Sequence, residues 1–591
     1  MSCEKIPVVV GVTGHRDLYP EDIPALKEEV KKDLLKIKQM CGDTPVVMLN
    51  ALAEGADMLC AEVAVEAGIP LYVVMPCEEK RYIESIEDAE AKVRFGCLIS
   101  RAERVFVAPD TEQNYDWIKT QRDMKQTDYE YRQLGIYMAA NSHILLALWN
   151  GKEPPESNPF GCGAAEVVSF ALEQKYLSKD HLFKPGLLND AAVCWIYTRR
   201  QKDKLDSAAD PGIFTKWLHM EVVNVPKTVR VETAEPPVFL KDTIERTAEY
   251  NAAAPVSTDA VKLWANPEQL DDYRLGLRSH YIKADHLSYT VNQKPYNKFL
   301  LAIAFLGTLV ALFFTLYDDA SLTLMIFACT CALILLLTLV FLGNRKKYHK
   351  NFVEYRAMAE ALRIQFYMSM GLSEQSRLYN VCTLYSWTQK SDMLWIAKAI
   401  QALGIICECN PGKISAIDKS KIIDVWLGIS SKPTGQLKYH TSKLSANRAK
   451  SVFYSRLSRC ISGVTVGIYF VIFALELATA IINATGNNWF WEGIMAGGVE
   501  WRSLGIIIVG TATAASLLFS SYFGKMSYDR KADDNFKMAN LYASACERWK
   551  DVSFRPDAER DGFIKEVARE EIVENGIWVS YMLGNGLEVN I

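Results

Sequence analysis

The sequence lacks any cysteine or histidine spacing typical of a metal site and has little net charge. Its 14 cysteines are scattered, and the closest pairs, Cys329/Cys331 and Cys407/Cys409, are separated by a single residue, which does not fit a zinc site. The formal net charge of -4 gives no reason to expect nucleic-acid binding. We therefore predict no metal, no resident cofactor, no catalytic cysteine or serine and no nucleic-acid partner.

A disulfide scaffold and a signal peptide are also lacking. A chain of 591 residues does not need disulfides to hold its core together, so we expect reduced thiols. The N-terminal residues lead directly into a predicted strand at Ile6–Thr13. Because no signal peptide precedes this strand, we expect the first domain to remain in the cytoplasm.

Long apolar runs are present, and they are concentrated after Phe299. Three of them contain no charged residue, and the other contains only Glu476. Each run has about the ~20 residues that are needed to cross the hydrocarbon core of a bilayer. We predict four membrane spans arranged as two hairpins, at Phe299–Tyr317, Leu322–Gly343, Ile461–Ile482 and Leu504–Phe523.

Basic residues flank the predicted hairpins on one side only. The two loops that connect the spans on the other side contain Arg502 as their single basic residue. The positive-inside rule therefore predicts a multi-pass protein of the inner (cell) membrane with both termini in the cytoplasm. The flanking basic residues are Lys294, Lys298, Arg345, Lys346, Lys347, Lys350, Arg456, Arg459, Lys525, Arg530 and Lys531.

Strand-like and helix-like runs alternate from residue 6 to about residue 200. This alternation, with its Val- and Ile-rich strands, predicts an α/β domain with a Rossmann-like, doubly wound parallel sheet. Ligands of such sheets bind beyond the carboxyl ends of the strands. The predicted strands are Ile6–Thr13, Val46–Ala51, Pro70–Val74, Arg104–Val107, His143–Trp149 and Ala192–Tyr197, and the predicted helices are Pro20–Met40, Ala56–Ala67, Asp128–Ala140 and Ala164–Lys175.

The chain divides into five predicted parts. The soluble α/β domain is followed by an extension and linker, and each membrane hairpin carries flanking helices that extend into the cytoplasm. A helical connector separates the two hairpins, which resemble a weak tandem repeat. The predicted parts are residues 1–200, 201–275, 276–372, 373–436 and 437–591.

The predicted turns at the strand ends carry glycines and polar side chains. Glycines let backbone amides approach a phosphate, and Arg16 is able to pair with one. Asp57 either caps the next helix or contacts a ribose hydroxyl. The candidate ligand-binding residues are Gly11, Thr13, Gly14, His15, Arg16, Glu54, Gly55, Asp57, Asn150, Gly151, Gly161, Gly163 and Glu166.

Three of these segments together resemble the SLOG superfamily, whose members are nucleotide-binding domains related to DprA proteins and LOG phosphoribohydrolases. The segments are residues 11–16, residues 54–57, and the pairing of residues 145–151 with residues 161–166. The resemblance covers about a third of the chain. The hairpins, with the segment Tyr355–Arg363 that follows the first one, resemble the two-span SLATT effectors of bacterial defence loci.

The sequence departs from the LOG enzymes at their catalytic motif, Gly-Thr-x-x-Glu. When Gly163 is aligned with the glycine of that motif, Ala164 stands at the threonine and Val167 at the glutamate. Glu166 lies one residue away, which on a helix rotates the side chain by about 100°. The resemblance therefore implies nucleotide binding rather than hydrolysis.

Three polar residues of the spans are candidates for lining or gating a pore. Glu476 is the only acid within a span, and intramembrane ionisable residues are functional candidates by default. Its alternative is an interfacial role near the outer end of its helix. Thr511 and Thr513 either line a polar path or hydrogen-bond to their own helix.

The two resemblances together imply a ligand-gated membrane effector of bacterial antiphage immunity. We expect it to sense a nucleotide-derived signal, of ADP-ribose type or a cyclic oligonucleotide, made by a separately encoded TIR-type or nucleotidyltransferase-type enzyme. We also expect it to act as a homo-oligomer that opens a pore in the bilayer or disrupts it.

Two alternatives remain open from the sequence. The first is a membrane-anchored nucleotide or NAD hydrolase with Glu54, Asp57 or Glu166 as acid or base. The second is a transporter, which the tandem hairpins and Glu476 favour. However, its spans lack the interrupted helices typical of transporters.

Overall fold

A computed structural model describes residues 4–585, apart from 111–123, 154–162, 174–190, 203–211, 225–226, 257–262, 264–265, 321, 374–375, 377–378, 386–388, 390–392, 411, 414–416, 429–434, 486–494 and 497–498. Its N-terminal part is an α/β domain built on a mostly parallel sheet. Its C-terminal part is largely helical and contains four long apolar helices. The predicted fold class is therefore confirmed.

Within the described residues, eight strands form one sheet in the order β4-β3-β2-β1-β5-β6-β7-β8. The first six are parallel, and β7 and β8 add an antiparallel hairpin at one edge. The chain adds β2, β3 and β4 on one side of β1, and then returns to add β5 on the other side. The strands are β1 (Val8–Gly14), β2 (Val46–Asn50), β3 (Leu71–Met75), β4 (Arg104–Val107), β5 (Ile144–Trp149), β6 (Ala192–Tyr197), β7 (Thr215–Asn224) and β8 (Lys227–Thr233).

Seven helices accompany the sheet in the described part of this domain. Four of them match the predicted helices to within a few residues, and the first turn of the predicted helix at Pro20 is a 3-10 turn. The other three, Glu79–Glu84, Ala89–Ile99 and Val238–Ala252, were not predicted. The sheet itself continues past the predicted domain boundary at residue 200. The helices are α1 (Ile23–Cys41), α2 (Ala56–Glu66), α3 (Glu79–Glu84), α4 (Ala89–Ile99), α5 (Gln126–Asn141), α6 (Ala164–Glu173) and α7 (Val238–Ala252).

Alternate residues of the central strand belong to two different cores, because successive side chains of a strand point to opposite faces. Val8, Val10 and Val12 pack with α1 and α2. Val9 points to the opposite face and belongs to a core that includes side chains of α5 and of the C-terminal helical region. This second core joins the sheet to the helices that continue into the spans.

Ten helices form the described C-terminal region. A π-helical turn at Leu287–Gln293 connects α8 to α9 without a break. The helices are α8 (Asp272–His286), α9 (Lys294–Asp318), α10 (Met325–Arg345), α11 (Tyr348–Gly371), α12 (Leu394–Ile406), α13 (Lys419–Leu427), α14 (Gln436–Ala484), α15 (Trp501–Met526), α16 (Tyr528–Val552) and α17 (Asp557–Gly584).

Four helical stretches among the described residues are long and apolar enough to cross a membrane, which indicates a multi-pass membrane protein. Their most apolar windows lie in α9, α10, α14 and α15 and have mean hydropathies of 2.6, 2.8, 2.1 and 1.8. We call α9 with α10 the first hairpin and α14 with α15 the second hairpin. The helix α9 packs against both α10 and α15, and α15 packs against α14. The spans therefore lie in a row with α10 and α14 at its ends.

The two hairpins share a backbone feature just after their second span. Lys347 separates α10 from α11 with φ 48°, and Ser527 separates α15 from α16 with φ 49°. Residues with a Cβ rarely adopt this left-handed conformation. Each of these two residues directly precedes a tyrosine that begins the next helix, Tyr348 in α11 and Tyr528 in α16. Both hairpins are thus followed by a similar break between the second span and the next helix.

Candidate functional site

A cavity of about 680 Å³ lies at the carboxyl ends of β1 and β5. These neighbouring strands are the point at which the strand order reverses, where open α/β sheets bind their ligands. Side chains of α5 and the first turn of α6 complete the wall. The predicted residues among its lining are Thr13, Gly14, His15, Arg16, Asp57, Asn150, Gly163 and Glu166.

The glycine after β1 is required by packing within the protein. A Cβ on Gly14 would lie 2.4 Å from the Cβ of Ala56 and 2.9 Å from the carbonyl oxygen of Leu148. Gly55 has φ 79°, and a Cβ there would lie 2.3 Å from the carbonyl oxygen of Arg16. These two glycines bring the turns after β1 and β2 together at one edge of the cavity.

His15 connects the two strand ends that form the floor of the cavity. Its Nε2 accepts a hydrogen bond of 3.1 Å from the backbone N–H of Asn150, and the backbone N–H of His15 donates to the Leu148 carbonyl at 3.1 Å. The hydrogen bond joins the turn after β1 to the turn after β5. His15 therefore fixes the position of the β5 turn.

Arg16 provides an exposed positive charge at the cavity. Its guanidinium lies 5.1 Å from the centre of the Tyr131 ring, a cation–π contact that orients the side chain. Tyr131 belongs to α5 and was not predicted as a site residue. The arrangement holds a planar donor group where an anionic ligand is able to reach it.

Asp57 is the buried acid of the cavity. It lies in the first turn of α2, and its carboxylate accepts a hydrogen bond from the backbone of Ala53 rather than capping its own helix. Burial raises the pKa of the Asp57 carboxyl to about 7, although the Ala53 amide and the Arg16 guanidinium act to lower it. A carboxyl group with this pKa is able to donate or accept a proton near neutral pH.

Glu166 is buried in the wall of the cavity and forms an ion pair with Arg132. The Arg132 guanidinium also lies 4.8 Å from the centre of the Phe170 ring. Both charged side chains are almost inaccessible to solvent, with exposed fractions of 0% and 6%. Glu166 therefore holds α6 against α5, which gives it a structural role.

Several charged residues at the cavity were missed by the sequence-based prediction. Arg200 and Lys202 follow β6, and Lys152 and Glu153 follow β5. Arg200 pairs with Asp17 at 2.9 Å, and Glu153 pairs with Arg230 of β8 at 2.7 Å. The basic run after β6 in the sequence was a signal for this edge. The cavity is therefore lined by as many acids as basic side chains, and burial disfavours the charge of one of these acids, Asp57.

Four other predicted ligand-binding residues are described, and they do not line the cavity. A Cβ on Gly11 would lie 2.1 Å from Ser142 Oγ, so this glycine allows α5 to approach β1. The Glu54 carboxylate accepts from the backbone N–H of Asp88 at 3.4 Å. Gly55 and Gly151 adopt positive φ angles in their turns. Gly161 lies outside the described residues.

The wall of the cavity is connected to the membrane-proximal helices through α12. Lys398 of α12 donates to the carbonyl of Ala140 at the end of α5, at 2.8 Å. Arg104 of β4 donates to carbonyls at the other end of α12, those of Gly404, Ile405 and Cys407. The predicted connector thus contains a buried helix that is held by the sheet and by α5.

The helix α11 continues this connection. It shares the core with α5 and α12, and its Arg363 pairs with Glu571 of α17 at 3.0 Å. Its Arg356 pairs with Asp285 of α8 at 2.7 Å. Since α8 leads into α9 and α11 follows α10, both helices of the first hairpin are attached to this core.

The three candidate residues of the spans have different surroundings. Glu476 forms an ion pair of 2.7 Å with Arg502 near the start of α15, which favours the interfacial role. The Thr511 hydroxyl lies 3.5 Å from that of Thr315, between α15 and α9. Thr513 is exposed on the surface of α15. Because Glu476 is paired with Arg502, it no longer favours the transporter alternative.

The described residues contain no group of three or more His, Cys, Asp or Glu side chains that could hold a metal ion. A scan against protein-family models, a search of curated proteins and a search of solved structures found no match to this chain.

Proposed function

We propose that this protein is a ligand-gated membrane effector of bacterial antiphage immunity with a SLOG-like sensor domain. The domain binds a nucleotide-derived second messenger, of ADP-ribose type or a cyclic oligonucleotide, on the cytoplasmic side of the inner membrane. The signal comes from a separately encoded enzyme of TIR or nucleotidyltransferase type. Binding opens an oligomeric pore or disrupts the bilayer.

The observation that carries this proposal is the cavity at the β1/β5 strand ends. Its volume of about 680 Å³ is in the usual range for small-molecule sites. Arg16 offers a charged, oriented donor for a phosphate, and the partly exposed Tyr131 offers aromatic surface to a base or ribose. A dinucleotide-sized anion fits this combination of charge, aromatic surface and volume.

The proposed gating is supported by the shared core. The helix α5 lines the cavity with Tyr131 and Leu134, and α12 contacts the opposite end of α5 through Lys398. A ligand shifts the equilibrium between closed and open arrangements only by its difference in affinity for them. We propose that a small displacement of α5 changes the packing of α12 and α11 and so the positions of the spans.

The proposal is tested with the full-length chain in liposomes loaded with a fluorescent dye. ADP-ribose and cyclic dinucleotides are added separately, and binding is measured in parallel by calorimetry on the chain in nanodiscs. We expect one of them to bind and to cause dye or ion leakage. Arg16→Ala should weaken binding by about 10- to 100-fold, because it removes charge-assisted hydrogen bonds.

Arg101→Ala is the matched control, since Arg101 is an exposed arginine of the same domain outside the cavity lining. It should leave both binding and leakage unchanged. The proposal is wrong if none of these ligands binds and none causes leakage, or if both arginine variants lose binding equally.

One observation favours a membrane-anchored nucleotide hydrolase as the second candidate. Asp57 is buried in the cavity, and its pKa is raised to about 7, which suits a general acid or base. Mass spectrometry of NAD and nucleotide pools after incubation with the full chain tests this candidate. Turnover by the native chain that is lost in Asp57→Asn supports the enzyme, and no turnover supports the sensor.

A further inference from the structure

Basic side chains gather where the second hairpin meets α16, and several of them have a partner within the chain. Arg530 forms an ion pair of 3.9 Å with Asp534, and its guanidinium lies 3.5 Å from the centre of the Tyr581 ring. Lys525 donates to the backbone carbonyl of Asn585 at 2.8 Å. Two lysines of the same region differ from these residues, because they share a site with each other and not with an acid.

These two lysines, Lys450 of α14 and Lys531 of α16, lie over the same aromatic ring. The Nζ atom of each is 5.6 Å from the centre of the Tyr528 ring. The face of an aromatic ring attracts a cation, so Tyr528 holds two positive charges from different helices close together. Neither lysine forms an ion pair with an acid of the residues that the structure describes.

The acids that are nearest to Lys531 in the sequence do not compensate its charge. Asp529 and Asp533 are two residues away on α16, and side chains at this spacing do not face each other on a helix. The Asp529 carboxylate accepts a hydrogen bond from the Ser451 hydroxyl. The described part of the chain therefore brings two ammonium groups together without supplying their counter-charge.

This arrangement is unfavourable until an anion joins it. Lys531 is half-buried, and burial and then the charge of Lys450 lower the pKa of its ammonium group to about 8. Like charges repel more strongly in a partly buried site than in water, because the effective dielectric constant is lower there. A negative group that contacts both lysines would replace this repulsion with two charge-assisted hydrogen bonds.

The lysine pair lies close to the end of the second hairpin. Tyr528 begins α16 directly after the break at Ser527, and a distance of about 8 Å along a helix separates it from Phe523 at the end of the predicted span. The Tyr528 ring stacks on that of Tyr454 with 5.4 Å between their centres, and Tyr454 stacks on Phe523 at 4.4 Å. Aromatic rings are enriched where the hydrocarbon core meets the lipid headgroups, so the pair lies at about headgroup depth.

The first hairpin lacks such a pair at the matching position. When the breaks at Lys347 and Ser527 are aligned, Asn351 stands where the second hairpin has Lys531. The Asn351 side chain is uncharged, and its oxygen accepts a hydrogen bond of 3.4 Å from Arg246 of α7. The lysine pair is therefore a specific feature of the second hairpin and not a general result of its basic flanks.

We propose that Lys450 and Lys531, held by the ring of Tyr528, together bind a phosphate group. The headgroup of an anionic phospholipid supplies such a group at this depth, and free phosphate in solution is the other source. A lysine ammonium is a compact point charge with three donors, which suits the oxygens of a phosphate. The site is distinct from the cavity of the α/β domain, and the inference does not rest on the function proposed above.

Native mass spectrometry of the full-length chain measures this binding. The chain in detergent is titrated separately with phosphatidylglycerol, with phosphatidylcholine and with inorganic phosphate. We expect phosphatidylglycerol to bind more tightly than the zwitterionic phosphatidylcholine, and Lys450→Gln/Lys531→Gln to weaken its binding by about tenfold or more. Binding of inorganic phosphate that is lost in the same variant, without a preference for phosphatidylglycerol, would support the site and identify a soluble anion as its ligand.

The matched control is Lys438→Gln/Lys443→Gln, which removes two positive charges from exposed positions of the same helix farther from the spans. Lys443 also lies over an aromatic ring, that of Tyr439 at 5.6 Å, so the control loses the same kind of contact. It should bind phosphatidylglycerol like the native chain. Far-UV circular dichroism checks that both variants are folded. Because Lys450 is exposed, Lys450→Gln alone provides a second test and should weaken binding by a smaller factor.

The inference is overturned if neither phosphatidylglycerol nor inorganic phosphate binds in preference to phosphatidylcholine, or if the double variant of the lysine pair binds like the native chain. It is also overturned if the control loses as much binding, since the effect would then depend on net charge alone. These outcomes do not involve nucleotide binding or leakage, so they are separate from the test of the proposed function.

Discussion

The ion pair between Arg132 and Glu166 separates a structural role of Glu166 from a catalytic one. Both side chains are buried, and the pair joins α5 to α6 across the wall of the cavity. Breaking a buried pair by removing one charge leaves the other charge uncompensated, which typically costs about 3–5 kcal/mol. We expect Glu166→Gln to cost about 3 kcal/mol, because glutamine is still able to accept a hydrogen bond from Arg132.

Replacing both partners should have a much smaller effect. In Arg132→Met/Glu166→Met no charge remains buried, and a methionine at position 132 retains an apolar contact with Phe170. Such replacements are often neutral for the free energy of unfolding. We therefore expect the free energy of unfolding to fall from the native chain to the double variant and then to the single variant. The double variant should lie within about 1 kcal/mol of the native chain.

The assay is thermal unfolding of the full-length chain in detergent, followed by intrinsic tryptophan fluorescence. Trp149 at the end of β5 and Trp195 in β6 have ring centres 5.7 Å apart and contribute a signal from this domain. A loss of about 3 kcal/mol should lower the transition of a domain of this size by roughly 6–12 °C. A Glu166→Gln chain that unfolds like the native one but loses nucleotide turnover would refute the structural role and support catalysis.

Three further predictions concern pH, backbone strain and coupling. Burial raises the pKa of Asp57 above its value in the unfolded chain, so the free energy of unfolding falls as pH rises from about 4 to about 7. In urea unfolding, Asp57→Asn should therefore be more stable than the native chain by about 2–4 kcal/mol at pH 8 and equally stable at pH 4. A gain of the same size at both pH values would contradict this explanation. Lys347→Gly and Ser527→Gly should each raise the free energy of unfolding by up to about 1 kcal/mol, since glycine adopts positive φ without strain, and alanine at the same positions should give no gain. Lys398→Met removes the hydrogen bond to the Ala140 carbonyl and should reduce ligand-induced leakage more than ligand binding, with both measured in the same liposomes. Equal losses of leakage and binding would show that Lys398 does not transmit ligand binding to the spans.

The parallel sheet and the spans could be predicted because their signals are local. A buried strand is indicated by a short run of apolar residues such as Val8–Val10, and a membrane span is indicated by about 20 apolar residues in a row. The antiparallel hairpin of β7 and β8 also carried a signal, since Lys227–Thr233 alternates between polar and apolar residues. That signal was missed because the segment had been assigned to a linker.

The cavity could be predicted only in part, because its walls come from distant segments. The turn after β1 was readable from its glycines, but the partner of Glu166 is Arg132, which lies 34 residues away on a different helix. The role of Lys398 was not readable either, since it depends on α12 packing against α5 across 258 residues of sequence. Long-range pairings of this kind follow from the fold and have no local pattern.

The core shared by the sheet and the C-terminal helices has a consequence for the synthesis of the chain. The face of the sheet that carries Val9 is covered by side chains of α11 and α12, which are about 350 to 400 residues further along. At 5–20 residues per second, roughly 20 to 80 s separate the synthesis of β1 from that of its covering helices. During this interval the first hairpin is synthesised, while the sheet face that carries Val9 has only its contacts with earlier segments such as α5. Completion of this core, and with it the folding of the α/β domain, therefore waits for α12, which follows the first hairpin in the sequence.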